Sequence, residues 1–212
     1  MNEKNGSDRR RLIAEAAARA LLEGHVCRFP LELSALRLPD VALISYQDYS
    51  ARTGVALREL TKDGFFPDGY TVRNLRGRNL IFYDGAAYYP RRTFTVCHEL
   101  GHLLLGHAAR GRCEEAEAHA FAAQMMAPDA AVRWLERHGA PVSGPLLESV
   151  FCLSAAAARR KAQEYALLGP AETELDTRLC AQMRGYLLSI APLAPRGVDI
   201  SAEEEPRAAR LG

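Results

Sequence analysis

The sequence lacks the features that define several large classes of protein. Its 212 residues carry a formal net charge of +1, so no overall charge favours nucleic acid or an acidic surface. No apolar run approaches the ~20 residues that a membrane-spanning helix needs, and the polar N-terminus has no apolar signal core. We therefore expect a cytoplasmic protein with no membrane partner.

Cysteine is present, but not in an arrangement that builds a site. The five cysteines are odd in number, and no two are spaced as a C-x-x-C pair. This pattern argues against a disulfide framework and against a zinc site made of thiolates. Any metal site must therefore come from histidine and carboxylate side chains.

The hydrophobic and charged fractions, 48% and 25%, are typical of a globular chain that can bury a sizeable core. The patterning predicts an α+β, mainly helical fold. We divide it into an N-terminal domain over residues 1–128, with a small antiparallel sheet and a long central helix, and a helical C-terminal region over 129–190. A tail over 191–212, which contains prolines and an acidic run, is expected to be disordered.

Strand and helix signals alternate in the first half of the chain and become helical in the second half. Residues 69–73 and 79–83 form a predicted antiparallel hairpin with its turn near Gly77, and residues 41–45 form a predicted strand. The predicted helices cover 7–22, 31–36, 55–60, 93–105, 113–126, 128–139, 145–151, 155–167 and 172–188.

The strongest functional signal is His98-Glu99-Leu100-Gly101-His102 on a predicted helix. Residues four apart lie on one face of a helix, with Cβ atoms about 5–6 Å apart. Two imidazoles so placed can both bind one zinc ion at about 2.0–2.1 Å. A match by chance is expected only about 0.01 times in a chain of this composition, so the motif is informative by itself. We predict that His98 and His102 are metal ligands.

Glu99 lies between these two histidines on a helix that is otherwise largely apolar. A buried carboxylate is costly unless something pairs with it, and a metal site explains why it is there. From its position Glu99 can take a proton from a water molecule that the metal activates and later deliver it to the leaving amine. We therefore predict that Glu99 is the catalytic base.

Zinc in a catalytic site needs a third protein ligand and an open fourth position. His107 does not have the spacing after His102 that the extended metzincin motif requires, and we interpret it as a helix-end histidine. The next helix offers Glu114, Glu115 and Glu117. The first two lie in the first helical turn, where acids are common for dipole reasons alone. Glu117 shares a predicted apolar face with Phe121, so we favour Glu117. His119 is expected to point elsewhere, either exposed or supporting the site without binding the metal.

Two segments, RTFTVCHELGHLL (92–104) and EAHAFAAQMMAP (117–128), resemble the ImmA/IrrE metallopeptidase family. That family has a His-Glu-x-Gly-His-type helix and a second helix that reads Glu-Ala-Asn-x-Phe-Ala-Ala and closes on Met-Pro. The resemblance covers about residues 41–128. The sequence departs from it at His119, where Asn is usual, and at Ala127, where Met usually precedes the proline.

The resemblance implies a zincin-like domain that holds one zinc ion through His98, His102 and Glu117, with Glu99 as general base. Ligand type does not exclude another divalent metal. The resemblance also implies an endopeptidase whose substrate is a helix-turn-helix transcriptional repressor, cut to derepress mobile-element or stress-response genes.

Two further elements are candidate contacts for the substrate. Tyr89 and Arg92 precede the active helix and are candidate donors to the oxyanion of the transition state. The hairpin over residues 69–83 offers an edge to which an extended peptide can add as a strand.

The competing hypothesis is a DNA- or metal-sensing regulatory protein that uses the zinc site without proteolysis. Residues 146–161 form two predicted helices joined by a short turn, and Arg159, Arg160 and Lys161 are candidate phosphate contacts. We favour a helical hairpin packed on the catalytic domain, so direct DNA binding is not expected.

Overall fold

The structure is a computed structural model that describes residues 3–60, 68–167 and 172–191. Most of the described residues are helical, and the predicted α+β, mainly helical class is confirmed. The elements are α1 (Glu3–Glu23), β1 (Val41–Ser45), α2 (Tyr46–Thr53), a 3₁₀ turn (Leu57–Leu60), β2 (Gly69–Leu75), β3 (Arg78–Tyr83), α3 (Tyr89–Leu104), α4 (Arg112–Met126), α5 (Asp129–Arg137), α6 (Gly144–Phe151), α7 (Ala155–Ala166), α8 (Glu174–Gln182) and α9 (Arg184–Ile190).

The sheet has the strand order β1-β3-β2. The predicted hairpin is confirmed, because β2 and β3 pair antiparallel with Gly69 opposite Tyr83. Its turn has positive φ at Arg76 and Gly77, as tight hairpins require. The predicted small sheet is present but mixed, since β1 pairs parallel to β3. The chain returns from β1 through α2 and β2, so β1 and β3 run in the same direction.

Local helix signals were misleading in three places. Residues 31–36 form a single hydrogen-bonded turn and no helix, and Pro39 follows soon after. Helix α2 was missed because Ser45 both ends β1 and caps the helix, with its Oγ accepting from the Asp48 N–H at 3.0 Å. The predicted last helix is divided at Met183 into α8 and α9. The predicted tail beyond residue 191 lies outside the described residues.

Helices α3 and α4 form the centre of the molecule and pack closely at Gly101. A Cβ added to Gly101 would lie 3.0 Å from Ala118 Cα and 3.2 Å from Phe121 Cβ. The described core is continuous, and α1 packs on both α4 and α8. Glycine at this position lets the α4 backbone approach α3, which places the first turns of α4 beside the two histidines of α3.

We expect Gly101→Ala to destabilise the protein although alanine favours helices. Overpacking against the α4 backbone costs about 1–3 kcal/mol, whereas the helix preference recovers only about 0.5–1 kcal/mol. Gly185→Ala is the matched control, because a Cβ added to that helical glycine has no neighbour within 4 Å. This substitution should stabilise the protein. Urea unfolding of both variants checks this difference, and equal stabilisation of the two would contradict the close packing.

The C-terminal helices pack on the rest of the molecule, and the position of Lys161 in α7 does not agree with the predicted phosphate contact. Lys161 is only 4% exposed, and its Nζ lies 2.6 Å from Asp129 Oδ1 on α5. It is therefore not a phosphate contact, while Arg159 and Arg160 are exposed.

Among the described residues, no helix is both long and apolar enough to cross a membrane.

Lys161→Ala should lower the free energy of unfolding by about 3 kcal/mol, because it leaves the Asp129 carboxylate without its cation. The neighbouring exposed Arg160→Ala should change it by no more than about 0.5 kcal/mol. Adding Asp129→Asn to Lys161→Ala should recover part of the loss. Chemical denaturation measures all three, and a neutral Lys161→Ala would show that the ion pair is not a structural element.

Candidate metal centre

Helix α3 places the two motif histidines one turn apart on one face. The helix begins after Tyr88, and Pro90 occupies its first turn. His98 Nε2 and His102 Nε2 are 3.1 Å apart, and His102 is buried while His98 is half-buried. Burial lowers the pKa of both imidazoles, and for His102 the nearby Arg110 lowers it further. The neutral form of histidine, which binds metals, is therefore favoured at both positions.

A carboxylate from α4 completes a group of three donors. Glu115 Oε2 lies 3.2 Å from His98 Nε2, and Glu115 Oε1 lies 3.3 Å from His102 Nε2. Two tetrahedral ligands at zinc–ligand distances of about 2.0–2.1 Å are themselves about 3.3–3.4 Å apart. The side chains of His98, His102 and Glu115 are therefore close enough together to bind one zinc ion, with each Glu115 oxygen near one imidazole nitrogen.

The predicted role of Glu117 as third ligand does not agree with its position. Its Oε2 lies 3.0 Å from His107 Nε2, and both carboxylate oxygens accept hydrogen bonds from the Arg9 guanidinium of α1. These hydrogen bonds from Arg9 lower the pKa of Glu117 more than any other contact does. Ala118 is the α4 residue that packs on Gly101 of α3. Glu115 lies one turn before Ala118 on the same face of α4, so Glu115 faces the histidine pair and Glu117 does not.

His119 also lies close to the histidines. One possible ligand atom from each of His98, Glu115 and His119 falls within a group no wider than 4.8 Å. The His119 ring packs edge-on against His98 and contacts Phe94, with ring centroids 4.8 and 5.2 Å away. His119 thus lies beside a proposed ligand, one of the two positions expected for it. His119 is exposed, and it borders the opening of the site.

Glu99 is only 2% exposed and is held from two sides. Thr71 on β2 donates its hydroxyl to Glu99 Oε2 at 2.8 Å, and Arg110 donates to the same oxygen at 2.6 Å. The buried carboxylate thus has a hydroxyl and a cation as partners, which offsets the cost of its burial. Sequence reasoning missed both partners, because neither a strand threonine nor an arginine in the α3–α4 connection carries a periodic signal.

The two predicted oxyanion donors make other contacts. Tyr89 donates its hydroxyl to the Leu31 carbonyl at 2.7 Å, and burial raises the pKa of Tyr89 to about 12. Arg92 donates to the Gly85 carbonyl at 3.2 Å and lies over the Tyr89 ring. Both residues therefore support the start of α3. Arg110, whose side chain is 51% exposed, is a cation that lies directly beside Glu99.

An open groove of about 650 Å³ lies beside His119. It shares Phe94 and His119 with the candidate site and runs between α4 and α7 toward Arg160. Alanines at 116, 120 and 123 of α4 form much of its apolar wall. A groove of this kind can accept part of a polypeptide beside His119.

Comparison with known families identifies the chain. Residues 52–162, more than half of the chain, match Peptidase_M78, the IrrE N-terminal-like domain. The chain belongs to the Peptidase_M78 family. Comparisons with curated proteins and with solved structures gave no match. The Peptidase_M78 match confirms the resemblance drawn from the sequence and makes the chain a member of a peptidase family.

The Peptidase_M78 match contains the whole group of histidines and carboxylates on α3 and α4, and Thr71 and Arg110 as well. It continues past residue 128 to α7. It does not contain α1, which contributes Arg9 to Glu117. The site in this structure is therefore assembled from the matched region and from a helix outside it.

Proposed function

We propose that this peptidase is a zinc-dependent endopeptidase whose metal ligands are His98, His102 and Glu115, with Glu99 as general base. The observation that carries this proposal is the spacing of the three donor groups, 3.1–3.3 Å from one another. Other divalent metals with similar geometry remain compatible with the same ligands. When bound, the metal would act as a Lewis acid that activates water and polarises the peptide carbonyl.

The chain's own residues supply the proton transfer and its control. Thr71 and Arg110 both bind Glu99 Oε2, so we assign the proton transfer to Oε1. Glu99 takes a proton from the attacking water and donates it to the departing amine. Arg110 is half-exposed beside this carboxylate, and we assign it the stabilisation of the oxyanion that develops on the substrate.

The sheet and the groove support a polypeptide as substrate. β2 is an edge strand of the described sheet, and its Thr71 contacts Glu99. An extended peptide added to this edge passes close to the catalytic carboxylate. The groove beside His119 then accepts side chains on one side of the cleaved bond.

We further propose that the protein acts in the cytoplasm and that the substrate is a helix-turn-helix transcriptional repressor. The ImmA/IrrE resemblance supports this choice. The test is co-incubation with a helix-turn-helix repressor encoded beside the gene, using wild-type protein, Glu99→Gln and chelator-treated protein. Fragments that appear only with untreated wild type support the proposal, and their absence for every such repressor would count against this substrate.

The alternative, a regulatory protein that senses DNA or metal without cleavage, has less support. A DNA contact through α7 would rely on Arg159 and Arg160 alone, since Lys161 is buried against Asp129. Zinc binding without hydrolysis of any candidate repressor would favour the metal-sensing form of this alternative. DNA affinity that falls steeply with salt and persists in Glu99→Gln would favour the DNA-binding form.

A further inference from the structure

A chain of four side chains extends from the inner face of the candidate metal centre to α1. His102 Nδ1 lies 3.0 Å from His107 Nδ1, and His107 Nε2 lies 3.0 Å from Glu117 Oε2. Arg9 binds both oxygens of Glu117, with its Nε 2.6 Å from Oε1. The side-chain exposure rises outward along this chain, from 3% at His102 through 5% and 19% to 48% at Arg9.

Metal binding by His102 determines which ring nitrogen of His102 and of His107 carries the proton. If His102 binds the metal through Nε2, the atom that faces His98 and Glu115, its Nδ1 carries the proton. His107 Nδ1 must then accept that hydrogen bond, so the His107 proton is on Nε2. That N–H points at a carboxylate, which is the partner it requires. Every hydrogen-bond donor among these four side chains then has an acceptor.

From this geometry we propose that His107, Glu117 and Arg9 are positioning residues that hold His102 in the tautomer and orientation that bind the metal. Groups that orient a metal-bound histidine typically change metal affinity by about 10–100-fold when they are lost. His98 differs from His102, because its Nδ1 is buried without a hydrogen-bond partner among the described residues. His102 is thus the ligand that the protein fixes through hydrogen bonds, and this inference rests on the proposed metal centre.

Helix α1 thereby supports the proposed metal centre through Arg9. Arg9 lies outside the segment that matches the family, and 108 residues separate it from Glu117 along the chain. Its bidentate contact joins α1 to α4 at the residue that orients His107. Bidentate arginine–carboxylate pairs fix geometry as well as charge, so Arg9 determines where the Glu117 oxygens lie.

The test is zinc affinity, measured by competition with a chromophoric chelator, for wild type, Glu117→Gln and Arg9→Met. We expect Glu117→Gln to weaken zinc binding about 10–100-fold and Arg9→Met to weaken it less. Arg10→Met is the matched control on the same helix and should bind zinc as wild type does. Because Arg9 acts through Glu117, adding Arg9→Met to Glu117→Gln should cause no further loss.

A spectroscopic readout separates positioning from a general loss of stability. In zinc-bound wild type with ¹⁵N-labelled histidine, long-range ¹H–¹⁵N spectra should show His102 protonated at Nδ1 and His107 at Nε2. In Glu117→Gln the His107 signals should change while far-UV circular dichroism stays the same.

Three outcomes would overturn the inference. Wild-type affinity in Glu117→Gln would show that Glu117 does not support the site. A loss as large as that of Glu115→Ala would show that Glu117 is itself a ligand. If wild type binds no zinc, the proposed metal centre fails as well, which distinguishes that result from failure of the positioning residues alone.

Discussion

Replacing Glu99 by glutamine should reduce peptide hydrolysis by about 10²–10⁴-fold, the range typical of general acid–base catalysis. Zinc content should stay at the wild-type level, because Glu99 is not among the three donor groups that face one another at 3.1–3.3 Å. The measurement is the turnover of a cleaved repressor or peptide, with zinc quantified on the same samples. Glutamine keeps the size of the side chain and can still accept from Thr71, so folding should not change.

Two controls make the Glu99 result specific. Thr71→Val removes the hydroxyl that donates to Glu99 Oε2 and leaves the carboxylate in place, so its activity should fall less than that of Glu99→Gln. Arg110→Met removes the cation beside Glu99 and should lower turnover with little change in substrate affinity, since the oxyanion exists only in the transition state. Full activity in Glu99→Gln would exclude Glu99 as the base and would require another proton acceptor.

The sequence predicted the active helix well because its signal is local. His98, Glu99 and His102 share one helix, so their relative positions follow from helical geometry alone. The β2–β3 hairpin was predicted for the same reason, since its turn and alternating strands lie within a few residues of one another. The parallel pairing of β1 with β3 was not predicted, because it depends on the path of α2 and β2 between them.

The structure favours a different third ligand from the one that the sequence predicted, because the position of that residue depends on how two helices meet. Glu117 was favoured for sharing a face with Phe121, but α4 approaches α3 through the contact between Ala118 and Gly101. That contact turns Glu115 toward the histidines and Glu117 toward His107 and Arg9. Arg110 and Arg9 were missed because each reaches the site from a segment that carries no metal-binding motif. No pattern within α4 alone distinguishes the two glutamates.

Zinc affinity should therefore fall most when Glu115 is replaced. Glu115→Ala removes one of the three proposed ligands and should weaken zinc binding by more than the about 10–100-fold expected for a supporting group. Glu114→Ala is the matched control, since both residues lie in the first turn of α4 and interact alike with the helix dipole. It should bind zinc as wild type does. Chelator competition on both variants and on Glu117→Gln gives the ranking.

The order of these three affinities decides between two assignments of the site. The geometry predicts that Glu115→Ala binds zinc most weakly, followed by Glu117→Gln and then Glu114→Ala. The resemblance to ImmA/IrrE peptidases by itself predicts that Glu117→Gln binds zinc most weakly of the three variants. If Glu117→Gln loses zinc and Glu115→Ala retains it, α4 must rotate when the metal binds, because Glu117 lies against His107 and Arg9 in this structure. If instead Glu115→Ala loses zinc, the packing of Ala118 on Gly101 determines which carboxylate reaches the metal.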